Sequence, residues 1–532
     1  MLHLLASTAL ACGGLFCDTA IPVSQIGEAV VFAVDPEDGT TTMHVTVRYA
    51  GDAEAFAWVL PVPAEPEVLR SSASLFTRLD IATRPTWRFQ MRDVGCRGDQ
   101  PDFGMESDTD TDTDADSDTD TDADTDVGSV VVTSQQRVGP YESVVLASSD
   151  VTAVQLWLQD HGYAVPAGTD ALLAPYASET SHFLALRLAS DRTVGDLEPV
   201  ALRFAGTEPS LPIQLTAVAV EPDMPIDVFL LGPSRALPSN YLHFEPNPLR
   251  VDWWDPYTDE VNRLSRGADE AGGRAFTTAF AGSPNIPLGL PRESQLAELR
   301  MQSTLFGWLD WMTIVLQPFS ADGPSPAELA AIVDLPPDAP VSPEDLFACW
   351  WCYPSMDRPL DGVVATARLD EAVLAPLRDA AELLERASTL TRLQTTMSAA
   401  EMTVDPAFRF VDGLDDVLST RVLELGRMCN GRTADSTRYD VRVGDLAFQA
   451  PSDAELRARG TSLREWLLQA SDHETLTVGE LTPRGLENLV DNSGDIEELG
   501  MACGCSSQGG PLGALLGVPF LLVSVARGRG RA

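Results

Sequence analysis

Two thiols three residues apart, in the run Cys349-Trp350-Trp351-Cys352, form the sharpest chemical motif of the chain. A Cys-x-x-Cys pair performs thiol–disulfide exchange when it opens a helix, because the helix N-terminus lowers the pKa of the exposed thiol. Here the pair follows "SPEDLFA", a helical stretch, so it stands at a helix end, and two bulky tryptophans between the cysteines suit a structural patch. Structural disulfides, to each other or to Cys429, are therefore expected, with thiol–disulfide exchange at Cys349/Cys352 as the enzymatic alternative. Zinc needs four ligands, and no second cysteine pair or nearby histidine supplies them. Tyr353 follows the motif where haem attachment requires His.

The histidines are His3, His44, His161, His182, His243 and His473. His44 and His182 fall in strand-like runs and His161 at a helix end, places where a satisfied structural imidazole is commoner than a base or ligand. No Gly-x-Ser-x-Gly elbow, phosphate-binding loop, His-Glu-x-x-His helix or dinucleotide fingerprint occurs, so a hydrolase would have to assemble its site from distant residues. Aromatic pairs at Trp253–Trp254, Trp308 with Trp311 and Trp350–Trp351 offer platforms for a glycan or a protein surface. The spacing of Trp308 and Trp311 on an apolar helix predicts core, and "DWWDPY" is the expected exposed pair. Between Ser107 and Asp126 an Asp recurs at every second position, ten in all. The tract lacks the Gly and terminal Glu of a calcium loop of the EF-hand kind. In extended form its carboxylates share one face, repel each other and keep the segment solvated, with weak calcium association as the residual chemistry. No metal site and no cofactor are expected beyond that.

The elements that would position these residues divide the chain. Residues 12–245 read as a β-rich α+β domain, interrupted by a disordered Asp/Thr insertion at 106–128. "AVVFAV" leads through the turn "DPEDGT" into "TMHVTVRYAG" and then "FAWVLPVP". Further strands are expected at Val130–Thr133, Glu142–Ala147, Phe183–Leu188, Val200–Phe204, Ile213–Val220 and Ile226–Leu231. "SSDVTAVQLWLQDHGYAVP" is a short helix capped by Ser149 or Asp150 and stopped by Gly162, and a second lies near Asp170–Tyr176. Residues 246–500 read as a mainly helical C-terminal extension. Its helices are "ESQLAELRMQSTLFGWLDWMTIVLQ", "APLRDAAELLERASTLTRL" and "DAELRARGTSLREWLLQAS". In the second, Pro376 suits a first position and Leu377, Ala380, Leu384 and Ala387 keep helical spacing.

In order along the chain, "ACGGLFCD", "PVSQIGEAVVFAV", "HVTVRYAGDAEAFAWVLPVPAEPEV", "LFTRLDIATRP", "VQLWLQDHGYAVP", "LPIQLTAVAV" and "LPSNY" resemble the bacterial domain-of-unknown-function family numbered 2330. The resemblance spans most of residues 11–245, and "LTRLQTTMSAAEMTVDPAF" adds a patch near 390–408. It implies an exported protein and carries no catalytic residue.

Composition bounds the partners. The net charge is −43, and the Asp/Thr tract supplies only ten of those charges, so the body repels nucleic acid and anionic lipid. All 36 basic residues are arginine, which reads as genome composition. Residues 1–11, "MLHLLASTALA", are an expected signal peptide. Cleavage after Ala11 would make Cys12 the first residue; lipidating it would leave an odd thiol among Cys12, Cys17, Cys96, Cys349, Cys352 and Cys429, so disulfides are favoured. The tail 501–532 resembles the myxobacterial MYXO-CTERM sorting signal, with Cys503 and Cys505, an uncharged segment Pro511–Ala526, then Arg527, Arg529 and Arg531. That uncharged segment reaches about 24 Å as a helix, so a transmembrane helix would borrow its flanks. The sum is an exported protein anchored at the cell surface through its C-terminus, handled by export and sorting machinery. Its expected role is non-enzymatic, binding a partner or stabilising the envelope; the alternative is an extracellular enzyme.

Overall fold

The computed structural model describes residues between 24 and 494, without 51–56, 95–129, 162, 164, 166–168, 179–181, 189–197, 219, 302–306, 320–323, 325, 334–340 and 429–437. The signal segment, the Asp/Thr insertion and the tail 501–532 thus lie outside the described residues, as do Cys12, Cys17, Cys96, Cys429, Cys503, Cys505, Arg527, Arg529 and Arg531.

In chain order the first strands are β1 (Ser24–Asp35), β2 (Thr40–Ala50), β3 (Ala57–Val62), β4 (Glu67–Arg70), β5 (Thr86–Val94), β6 (Val131–Val138), β7 (Tyr141–Ala147), β8 (His182–Leu188), β9 (Val200–Ala205) and β10 (Met224–Gly232). There follow β11 (Arg235–Pro238), β12 (Leu242–Pro246), β13 (Ala275–Gly282), β14 (Thr389–Met397), β15 (Phe408–Val411), β16 (Thr420–Met428), β17 (Arg438–Val443), β18 (Leu446–Ala450), β19 (Thr475–Thr482) and β20 (Gly485–Asp491). Ten of them build one mixed sheet in the order β20-β19-β12-β13-β14-β10-β1-β2-β9-β4. The expected first hairpin is present: Asp35 Oδ1 accepts from the Glu37 and Asp38 amides, Gly39 takes φ +67°, and Val34 pairs with Thr41.

Both faces of the large sheet are covered, which is why its central strands are continuous apolar runs. On one face Val30, Phe32, Ile226, Val228 and Leu393 pack against Leu60, Leu184, Leu186 and Val145 of the sheet β3-β8-β7-β6. On the other, Val31, Ala33, Phe229, Leu231 and Leu390 pack against helices drawn from 73–83 and 293–386. Trp308 and Trp311 are buried in that helical layer, as their spacing predicts. A third sheet, β18-β17-β16-β5, carries its own core with Leu423, Leu425, Val441 and Phe448, and β5 runs parallel to β16.

The mainly helical C-terminal extension is not what folds. Seven strands, β14 to β20, lie beyond residue 388, and β14 inserts between β10 and β13 at the centre of the large sheet. "APLRDAAELLERASTLTRL" is helix only to Arg386, after which Thr389–Met397 is β14. The helical part starts earlier than Pro376, at Gly362, where Asp361 accepts from the Val363 and Val364 amides. A π turn at Asp370–Leu374 precedes Pro376, the residue that cannot donate to a regular helical ladder. "DAELRARGTSLREWLLQAS" is two short helices, because Gly460 takes the left-handed conformation (φ +68°) and Ser462 opens a second capping box. "ESQLAELRMQSTLFGWLDWMTIVLQ" is likewise two, Glu293–Met301 and Trp308–Phe319. In the first half the strand expected at Ile213–Val220 is a 3₁₀ turn at Leu215–Val218, while the other expected strands and the Asp150-capped helix Val151–Asp160 are present.

Candidate functional site

Where the helical layer ends, the large sheet and the sheet β18-β17-β16-β5 enclose a cavity of about 710 Å³. Its floor is the sheet face that carries Arg48 (β2), Asp227 (β10), Arg392 and Gln394 (β14), Thr277 and Thr278 (β13), and His243 and Glu245 (β12). Trp87 of β5, Arg421 of β16 and the 443–446 turn face it from the second sheet. Val251, Trp253 and the helix Glu260–Glu270, with Glu260 and Arg263 turned inward, complete the wall.

Six arginines line this cavity against four carboxylates, in a chain whose net charge is −43. They divide by function. Arg392 is only 3% exposed and fully engaged: its Nε donates to Asp227 Oδ1 at 2.9 Å, its Nη2 to Asp80 Oδ1 at 2.8 Å, and its plane lies over Phe229. Arg84 is tied to Asp80. These two are structural. Arg235, Arg263 and Arg421 differ: among the described residues no carboxylate stands within 4.0 Å of any of them. Arg235 donates to the Asp415 carbonyl and to Thr278 Oγ1 at 3.0 and 3.1 Å, and its buried Nε has no partner. Arg421 donates to the Ala279 carbonyl at 3.0 Å. Arg263 donates to the Pro256 carbonyl and stacks 5.1 Å from the Trp87 ring centre. Burial lowers the pKa of all three guanidiniums, with Glu245 offsetting part of the effect at Arg235 and Arg421 and Glu260 doing so at Arg263. Arg263 is buried and Arg235 and Arg421 are half-buried, so three partly desolvated guanidiniums, without a carboxylate within 4.0 Å among the described residues, leave the cavity wall with positive charge that no ion pair compensates.

Gly27 makes room for a further arginine, exposed at the cavity rim. Arg48 crosses β1 at the bulge beside Gly27, where an added Cβ would stand 2.6 Å from its Nε. The opposite wall is aromatic. Trp87 meets Trp253 edge-on with ring centres 5.2 Å apart, and Trp87 Nε1 is buried without a partner. One step outward, Phe89 meets Trp254 at 5.1 Å. The expected exposed pair is therefore split: Trp254 is 44% exposed, whereas Trp253 is buried in the cavity wall.

Among the described residues His243 is the one histidine lining the cavity. Its Nε2 lies 2.9 Å from Thr278 Oγ1, the hydroxyl that also accepts from Arg235. Burial, reinforced by Arg235, pushes the imidazole down to about 3. The ring is thus held neutral at neutral pH, and Thr278 Oγ1 joins it to Arg235. The remaining histidines stand apart. His44 is buried against Ser71 Oγ at 2.9 Å and pushed down to about 4 by burial; His161 closes its helix against the Trp157 carbonyl; His182 begins β8; His473 meets Glu270; and His3 lies outside the described residues.

Cys349 and Cys352 are bonded to each other across a 3₁₀ turn that follows the helix Pro343–Ala348, with Cα atoms 5.4 Å apart. The turn lies outside the cavity, and Trp351 beside it is exposed. Among the described residues no three His, Cys, Asp or Glu side chains converge as metal ligands would, and no helix is long and apolar enough to cross a membrane.

The model of a bacterial family, described as uncharacterized protein conserved in bacteria (DUF2330), matches residues 6–321. The chain belongs to DUF2330. The matched range extends past the region 11–245 in which the resemblance was read, and it includes most of the cavity floor but not Arg392 or Arg421. No curated protein and no solved structure matches this DUF2330 chain. The cavity of this DUF2330 protein escaped sequence reasoning because Arg48, Arg235, Arg263 and Arg421 come from separate elements with no common spacing. The available signal was Arg within strand patterns, at Arg235, Arg392 and Arg421.

Proposed function

We propose that this DUF2330 protein is a binding protein whose cavity takes a small organic anion and performs no chemistry on it. The observation that carries the reading is the set Arg235, Arg263 and Arg421, half-buried to buried and, among the described residues, without a carboxylate within 4.0 Å, on the walls of a cavity in a strongly acidic chain. A cavity of about 710 Å³ is within the ordinary range for a small-molecule site, and this one joins an aromatic and apolar wall to a charged one. The acidic exterior slows capture of anions, so selection rests on the cavity itself. Export to an oxidising compartment, with anchoring through the segment 501–532, belongs to the same proposal; the Cys349–Cys352 bond and the apolar first residues support it.

Thermal unfolding of the full chain in a panel of organic anions, each against a chloride control of equal ionic strength, tests the reading. At least one anion should raise the midpoint in the wild type and fail to do so in Arg421→Gln. If no anion exceeds its control, the binding reading is wrong. Cell fractionation with mass mapping of both mature ends tests delivery; an intact chain in the cytoplasm would overturn it.

A further inference from the structure

We infer that the anion is an acidic carbohydrate chain, its carboxylate held between Arg235 and Arg421 and its sugar rings laid along the aromatic strip from Trp87 outward. This rests on the anion-binding reading and narrows it.

Arg235 and Arg421 feel each other's charge, and neither has a carboxylate within 4.0 Å among the described residues. Two guanidiniums lining one cavity supply the charge that a carboxylate or a sulfate needs. The rest of the cavity separates the classes of anion. Glu245 and Glu260 face the space as acceptors that no ion pair occupies, with Thr277 and Gln394 beside Asp227. An apolar anion would cover these acceptors without donating to them, which is costly for buried groups. An ammonium is disfavoured too, because six arginines line the cavity against four carboxylates. Neutral hydroxyl donors on an anionic frame satisfy both conditions.

Length follows from the aromatic strip. Trp87 and Phe89 are alternate residues of β5 and share a face, about 7 Å apart. Each meets one of two adjacent tryptophans, buried Trp253 in the cavity wall and exposed Trp254 beyond it, so the four rings run from the cavity wall to the surface. Val261, about half exposed, also lines the cavity. A ledge of rings beside an arginine cluster is complementary to a chain of sugar rings that carries acid groups.

The test is titration of the full chain with galacturonate, trigalacturonate, a neutral trigalactoside and benzoate, followed by tryptophan fluorescence and calorimetry. Trigalacturonate should bind at least about tenfold more tightly than galacturonate, and the neutral chain should not bind measurably. Arg421→Gln should weaken both uronates by about tenfold or more. Trp254→Ala, a change at an exposed position, should reduce trigalacturonate to the affinity of galacturonate and leave the monomer unaffected. If benzoate matches trigalacturonate, with the same dependence on Arg421, the carbohydrate inference falls and the anion reading stands. If no anion binds, both fall.

Discussion

Glu28 offers the cleanest quantitative test of the folded core. It sits on β1, 4% exposed, and its Oε2 accepts from Gln25 Nε2 at 2.9 Å. Burial raises its pKa from 4.5 to about 7; the Gln25 hydrogen bond opposes that rise and the charge of Asp405 adds to it. Between those two values the folded protein keeps a proton that the unfolded chain has released. Stability therefore falls as pH rises through this window, by about 1.4 kcal/mol per unit at most, and the full cost of about 3 kcal/mol is present above pH 7. Glu28→Gln removes the charge and keeps the shape. It also gives Gln25 Oε1, buried without a partner, an amide donor. The substitution should be close to neutral at pH 5 and stabilising by about 3 kcal/mol at pH 8. Urea unfolding of both proteins at four pH values reads the difference directly. A gap that does not change with pH, or a variant less stable at pH 8, would refute the assignment of a neutral carboxyl at this position.

Three further outcomes follow from the same structure. Arg392→Leu leaves Asp80 and Asp227 without their shared guanidinium and should cost about 3 kcal/mol in urea unfolding, whereas a loss below about 1 kcal/mol would show that Arg84 and Gln394 suffice. His44 and His243, pushed down to about 4 and about 3, should show constant imidazole proton shifts from pH 8 to pH 5. Their depressed values stabilise the fold at neutral pH, and that contribution is lost as pH falls below about 6.5, where the unfolded chain protonates first; a sigmoid centred near 6.5 in the folded protein would contradict their burial. Replacing Cys349 and Cys352 together by Ser opens a loop of three-residue separation, so the loss should not exceed about 2 kcal/mol, and anion binding should be unchanged. Loss of binding would place the turn at the site.

The readable parts of the fold were those where local chemistry and tertiary environment agree. The turn at Asp35–Gly39, the Asp150 cap and the buried face Leu377, Ala380 and Leu384 are all local signals that the structure keeps. β14 failed for a physical reason. It is buried on both faces, so its apolar residues do not alternate; Leu390, Leu393 and Met397 stand three and four apart and imitate a helix. The contrary sign was its threonines, Thr389, Thr391, Thr395 and Thr396, whose branched side chains favour extended backbone. β16, β17, β19 and β20 carry charged residues such as Arg421, Glu424, Arg442, Glu480 and Glu487 along their length, so their apolar alternation is broken. The lack of lysine concealed the site further, since arginine as the sole base made each arginine look compositional.

The place of β14 also governs how the chain can be cut or synthesised. Asp227 and Arg392, neighbours across β10 and β14, are 165 residues apart in sequence, and Thr86 meets Thr420 across 334. A nascent chain that has emerged only to residue 321 holds β1, β2, β9 and β10 but must present the bare edge of β10 to whatever is nearby, with the Trp87 wall uncovered as well. Closure waits for the last strands, and the sheet that carries Trp87 is completed by a pairing made across more than half of the chain.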